Sequence, residues 1–321
     1  MANGTTRNTF SAERHGSLIA LGILILVSAL LSPHFLQPQN LLNILRQVSY
    51  TGLIALGMTF VIIAGGIDLS VGSLAAFAGA VGVLTMNALG AAGRPDWAGV
   101  LVGVAVALAV GAAGGFVNGL IITKGRIAPF IVTLGTMALF RSLTLYMGDA
   151  GEFTSTNLLY SRIGSASFCF VPVPVWILAA LAALFALVLG RTRYGRYVRA
   201  VGSNQRVALY SAIDVDRVRF LTYVITGLVV GVSAVLISMR FNAVGSSTLG
   251  INYELDAIAA VIIGGTAMAG GSGTIWGTVV GAIILGVINN MLNLVGVSPY
   301  LQGTVKGLVI ISAVLIQRRK N

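Results

Sequence analysis

RTRYGRYVRAVGSNQRVALYSAIDVDRVR, residues 191–219, holds seven of the chain's twenty basic residues. The chain is 321 residues long, 56% hydrophobic and only 9% charged, so this is a costly concentration of arginine. The stretch lies between two apolar runs, 173–190 and 220–239. A basic connection between two membrane-length runs stays on the cytoplasmic side of a bilayer. The reading is therefore of an oriented membrane protein, and the rest of the chain agrees.

There are nine carboxylates in the whole sequence. A water-soluble protein of this length needs a charged surface, so most of this surface meets something other than water and the class is a polytopic membrane protein. The net charge of +11 comes from residues at the edges of apolar runs, with no basic face interleaved with aromatics, which excludes a nucleic-acid partner. Cys169 is the single cysteine, so neither a disulfide framework nor a thiolate metal site is available. The basic flank and apolar run at the start have no small-residue cleavage site after them and read as a retained first helix.

About ten apolar segments follow one another: 16–31, 48–64, 69–89, 97–123, 127–147, 173–190, 220–239, 255–269, 274–295 and 300–316. The expected fold is all-α, a single membrane domain over 1–321 with its helical bundle at 15–316, and without strands, because a lipid-exposed sheet must close into a barrel. The second and eighth segments are short. They end in the glycine clusters AGGIDLSVGS (64–73) and GGTAMAGGSGT (264–274), the mark of re-entrant or broken helices. The words VIIAGG (61–66) and VIIGGT (261–266) hint at an internal repeat, with chance similarity as the other reading. Counting bases by side puts Arg7, Arg14, Lys124, Arg126, the seven arginines of the loop, Arg318, Arg319 and Lys320 together. Opposite them stand Arg46, Arg94, Arg141, Arg162, Arg240 and Lys306. The excess sets both termini and the arginine loop in the cytoplasm, and an even number of spans gives the same parity.

Chemistry is scarce. The lysines Lys124, Lys306 and Lys320 are followed by Gly125, Gly307 and Asn321, so no phosphate-binding loop exists and the chain does not hydrolyse ATP through one. No metal constellation and no nucleophilic triad is present, His15 and His34 merely flank the first helix, and no cofactor is expected. Asp68, Glu254 and Asp256 stand at helix starts, where carboxylates favour the dipole and where Asn252 can cap; the other reading sets them on a translocation path. Lys306, deep in the last segment, either snorkels outward or faces a wet route. Asn118, Asn289, Asn290 and Asn293 either bond helix to helix or line that route. Within the arginine loop, Gly195 and Gly202 break the chain and Asn204 caps a short amphipathic helix holding Val207, Leu209 and Tyr210. That helix either fits a groove on a soluble motor or anchors the loop at anionic headgroups.

The words LLNILRQ (41–47), GMTFVIIAGGIDLSVGS (57–73), KGRIAPFIVTLGTM (124–137), RTRYGRYVRAVGSN (191–204), YELDAIAAVIIGGTAMAGGSGT (253–274), GTVVGAIILGVINNMLNL (277–294) and VKGLVII (305–311) recur in order in one family. Nearly end to end, the chain resembles the permease subunits of bacterial ribose-type monosaccharide ABC importers. The resemblance implies a membrane domain of the vitamin-B12-importer type (type II) in the bacterial inner membrane. It also implies a second permease copy or paralogue, a cytoplasmic ATPase that does the hydrolysis and a periplasmic sugar-binding protein. Contact with the ATPase is implied for the loop 191–219 through the pattern G-x-x-x-x-A-x-G-x-N, matched by Gly195, Ala200, Gly202 and Asn204, with Arg193 and Arg199 alongside. Further on the family usually has two small residues and then a glycine before isoleucine; this chain has Arg206, Val207 and Ala212. The alternative is an ion-coupled secondary sugar carrier.

Overall fold

The computed structural model describes residues 9–318. Of the bases counted above, Arg7, Arg319 and Lys320 lie outside the described residues. Every one of the ten expected segments coincides with a helix: α1 (Thr9–Leu31), α2 (Pro38–Ile63), α3 (Val71–Ala91), α4 (Asp96–Lys124), α5 (Pro129–Met147), α7 (Val173–Arg191), α10 (Val215–Phe241), α11 (Tyr253–Ile263), α12 (Ile275–Leu294) and α13 (Pro299–Arg318). Three shorter helices sit in the connections: α6 (Leu158–Ser165), α8 (Arg193–Ser203) and α9 (Gln205–Tyr210). Among the described residues seven helices, namely α2, α3, α4, α5, α7, α10 and α12, are long and apolar enough to cross a membrane, and the chain is a multi-pass membrane protein.

Proline does much of the starting. Pro38, Pro129 and Pro299 open α2, α5 and α13, while Pro95 and Pro172 stand at the N-caps of α4 and α7. A first-turn position needs no N–H donor, and proline's fixed φ already suits the helix.

Glycine does much of the packing. Along α4 a small residue recurs every four positions: Gly99, Gly103, Ala107, Gly111, Gly115 and Gly119, all buried. A Cβ on Gly111 would strike the backbone of Gly227 and Gly231 in α10, and one on Gly115 would strike Tyr223. Where lipid tails are as apolar as leucine, this close backbone approach is what holds two helices together. Interhelical hydrogen bonds add to it, such as Ser233 Oγ to the Tyr50 carbonyl (2.8 Å) and the Thr59–Thr278 hydroxyl pair (2.8 Å). At about 0.6 kcal/mol each in a membrane, they are secondary to packing. At the centre lies α2, enclosed by α7, α10, α11 and α12.

Three expectations need correction. The second segment is not short: α2 has 26 residues and begins at Pro38, ten positions early. Its first turns look polar, but their groups are satisfied, Asn40 donating to the Phe35 carbonyl (2.8 Å) and exchanging amide hydrogen bonds with Asn290 (3.0 and 2.7 Å). Strands do occur, as two small ribbons in the connections. β1 (Glu152–Thr154) pairs antiparallel with β4 (Ala243–Gly245), Phe153 opposite Val244, and β2 (Ser167–Phe168) pairs with β3 (Val171–Pro172). The eighth segment is a half-helix. α11 stops at Ile263 rather than 269, and its 11 residues span about 16 Å, half of an apolar core about 30 Å thick. The chain reaches it through non-helical backbone that descends along α3, with Val244 against Gly79 and Gly250 against Gly72. Arg141 holds that descent by donating to the carbonyls of Ser246 (2.8 Å) and Leu249 (2.9 Å).

Candidate functional site

α2 and α11 end in the same way. In α2 the N–H groups of Ala64, Gly65 and Gly66 return to the carbonyls of Phe60, Ile62 and Val61; in α11 those of Gly264, Gly265 and Thr266 return to Ala260, Ile262 and Val261. Each bond has its counterpart two hundred residues on. Gly65 and Gly265 occupy the left-handed region at φ 79° and 88°, which glycine enters without a Cβ clash. The two caps adjoin, since the Gly271 N–H donates to the Ile63 carbonyl at 2.8 Å.

Onto this paired cap sits the arginine loop. Thr192 Oγ1 accepts from the Gly195 N–H (3.2 Å) and starts α8, folding it sharply against α7: a Cβ on Gly195 would strike the carbonyls of Val188 and Leu189. α8 buries Val198 and Val201 on one side. At its end Gly202 lies so close to the end of α2 and the loop after α11 that a Cβ would overlap the Ile63 carbonyl and the Gly271 N–H. Arg199 donates to the Gly273 carbonyl at 3.5 Å, Ala200 is half-buried, and Arg193 is exposed. Asn204 caps α9 as expected, its Oδ1 accepting from the N–H groups of Arg206 (3.0 Å) and Val207 (3.1 Å). Tyr194 stacks on Phe60 of α2 and donates to the Val218 carbonyl of α10, and burial raises its phenol above the ordinary value. The outer side of α8 and α9 leaves Tyr197, Val207, Leu209 and Tyr210 exposed, Tyr210 by 90%. Ala212, where the resemblance expects glycine, is held at φ 57°.

Within the bundle the expected polar residues fall into separate groups. Asp68 does not cap α3; that position is Ser70. Asp68 Oδ1 accepts instead from the Ser70 N–H (2.9 Å) and Oγ (2.7 Å), and Asn118 Nδ2 donates to the same Ser70 hydroxyl (2.9 Å). Both side chains are sealed, with Asp68 1% and Asn118 0% exposed. Asn252 stands before α11 without any side-chain capping bond. Glu254 is half-buried beside Gly72. Lys306 neither snorkels nor stands alone: its ammonium lies 3.0 Å from both Asp256 oxygens. Asn290 belongs to the clasp with Asn40.

The Asp256–Lys306 pair lines a cavity of about 150 Å³ among α2, α11, α12 and α13, together with Tyr50, Thr51, Asn289 and Gln302. The sequence reading missed Tyr50, Thr51 and Gln302. The signal for the first two was Gln47, Tyr50 and Thr51 standing together in what turns out to be the middle of a long helix. No three His, Cys, Asp or Glu side chains among the described residues come together as a metal ligand set.

A bundle of interrupted apolar helices, with a polar cavity between them and a folded basic platform, fits an integral-membrane permease. The family model for the permease component of the branched-chain amino acid transport system matches residues 40–314, and the chain belongs to that permease family. It is 42% identical to the ribose import permease protein RbsC of Bacillus subtilis (strain 168) over 311 residues, 96% of this chain and 94% of the relative. It is 37% identical to the D-allose transport system permease protein AlsC of Escherichia coli (strain K12) over 307 residues, 95% and 92% of the two chains. With the L-arabinose transport system permease protein AraH of the same strain it shares 32% identity over 322 residues, 99% and 95% of the two.

Proposed function

We propose that this chain is the membrane-spanning subunit of an ATP-driven importer of a monosaccharide, ribose or a related pentose or hexose, in the bacterial inner membrane. It forms one permease domain with both termini and the arginine platform in the cytoplasm, and it pairs with a second copy or a paralogue. ATP hydrolysis belongs to a separate subunit that binds α8 and α9, and an exported sugar-binding protein delivers the substrate outside. The observation that carries this reading is the seat of Gly202 on the end of α2 and on Gly271 in the glycine loop that follows α11. A push on the exposed side of α8 is transmitted through backbone contact, without side-chain slack, to the end of α2 and to the glycine loop between α11 and α12. α11 in turn carries Asp256 at the cavity. The exposed Tyr197, Val207, Leu209 and Tyr210, interleaved with arginine, give a partner protein both apolar anchors and charge, the composition of energetic interface centres.

The test is reconstitution of the permease with its ATPase and binding protein in proteoliposomes. Gly202→Leu is expected to insert normally and to abolish sugar-stimulated ATP hydrolysis; stimulation at the wild-type level would refute the coupling role. The ion-coupled alternative draws on a carboxylate at depth, but Lys306 already neutralises it. Uptake that persists without ATP and collapses with an uncoupler would establish that alternative instead.

A further inference from the structure

We propose that the cavity among α2, α11, α12 and α13 is a binding station for a neutral polyhydroxylated solute inside the membrane. The proposal rests on the importer reading above and names where the sugar meets this chain.

A sugar leaving water must exchange every hydroxyl's hydrogen bonds for protein ones, and each hydroxyl both donates and accepts. The cavity offers that mixture. Lys306 donates, Asp256 accepts, and the Tyr50 hydroxyl does either. Because the ammonium and carboxylate lie 3.0 Å apart, the site carries strong hydrogen-bonding groups and no net charge, which suits a neutral solute over an ion. Both remain reachable, with 21% of the Lys306 side chain and 11% of the Asp256 side chain exposed.

Two of the residues that line the cavity carry a buried atom without a partner. Tyr50 is 6% exposed, and its hydroxyl, though buried, makes no hydrogen bond. Asn289 Oδ1 is likewise buried without a donor. Stranding such a group costs about 1–3 kcal/mol, which a ligand hydroxyl would recover. The cavity's volume is about 150 Å³.

The experiment uses the complete transporter in proteoliposomes, with labelled D-ribose as the probe, and records initial uptake and ATP hydrolysis together. Tyr50→Phe removes a hydroxyl that bonds nothing in the protein, so folding is expected to be unchanged or slightly improved. Asn289→Ala is the second variant. Each is expected to lower uptake roughly five- to tenfold, the worth of one hydrogen bond, with binding-protein-stimulated ATP hydrolysis retained. Asn290→Ala, one residue away in the clasp, is expected to lose thermal stability but to keep its uptake per folded molecule. Wild-type uptake by both cavity variants overturns the proposal, and so does a parallel fall of uptake and hydrolysis, which marks a structural role. If the unaltered assembly takes up no sugar with ATP, the importer reading fails, and the station falls with it.

Discussion

The two helix ends at 63 and 263 share one backbone solution and differ in the carboxylate each keeps nearby. Asp68 comes five residues after the first helix end and is closed into a group with Ser70 and Asn118, sealed from solvent. Asp256 comes seven residues before the second end, in the first turn of a half-helix, and is shared with Lys306 beside a cavity. The same cap therefore serves a fixed element in one half and an opened one in the other. α2 enters as a continuous helix of 26 residues, whereas α11 has 11 and is fed by irregular backbone. The short helix sets its first-turn carboxylate among α2, α12 and α13, where Lys306 supplies the cation.

The largest test of the contrast is Lys306→Ala. It strands Asp256 beside the cavity; breaking one side of a fully buried ion pair costs about 3–5 kcal/mol, and this partly reachable pair is expected to lose less. Thermal unfolding in detergent is expected to show that loss, and Asp256→Asn made together with Lys306→Ala to recover most of it. If the single and double variants melted alike, the pair would contribute nothing and the two carboxylates would be equivalent. Asp68→Ala comes next. It removes the acceptor for the Ser70 N–H and hydroxyl, at about 1–3 kcal/mol for each donor left buried and unmatched. Here the expected signature is lower stability with unchanged sugar uptake per folded molecule, because the Asp68 group is sealed from solvent. An uptake defect in the folded fraction would put Asp68 on the route after all.

Much of this was legible from residue pattern alone. The arginine loop, the ten apolar segments and the two glycine breaks are local signals, and a glycine pair after an apolar run can be read without knowing what lies opposite. The Asn204 cap is local in the same way. What escaped were contacts between distant residues. Lys306 and Asp256 lie fifty positions apart, and an isolated lysine in an apolar run looks alike whether it snorkels or pairs. The start of α2 was misplaced because its polar first turns are matched by groups far away, Asn290 among them, and a hydropathy window penalises them regardless. The four-residue glycine period of α4 was in plain view as a packing signal and marks the contact with α10. The doubled word VIIAGG and VIIGGT left repeat and chance equally open, and only the matching hydrogen bonds show that the two words build the same cap.

The smallest expected effect concerns a left-handed residue that is not glycine. Gly65 and Gly265 take positive φ at no steric cost, whereas Ala212, between α9 and α10, takes φ 57° with a Cβ. For an L-residue that conformation costs about 1–2 kcal/mol. The Ala212 N–H returns to the Leu209 carbonyl at 3.0 Å and the Ile213 N–H to the Ala208 carbonyl at 3.1 Å, so the turn is fixed by the end of α9 and cannot relax into another region. Ala212→Gly removes the clash but also gives the unfolded chain more freedom, which offsets about 0.4–1 kcal/mol of the gain. The net expectation is a stabilisation of about 0.5–1 kcal/mol, read as a slightly raised melting temperature with coupling intact. Ala212→Val is expected to go the other way, because a β-branched side chain is still less tolerant of that φ. If glycine and valine had the same effect, conformation would not be what sets this turn apart from the two caps.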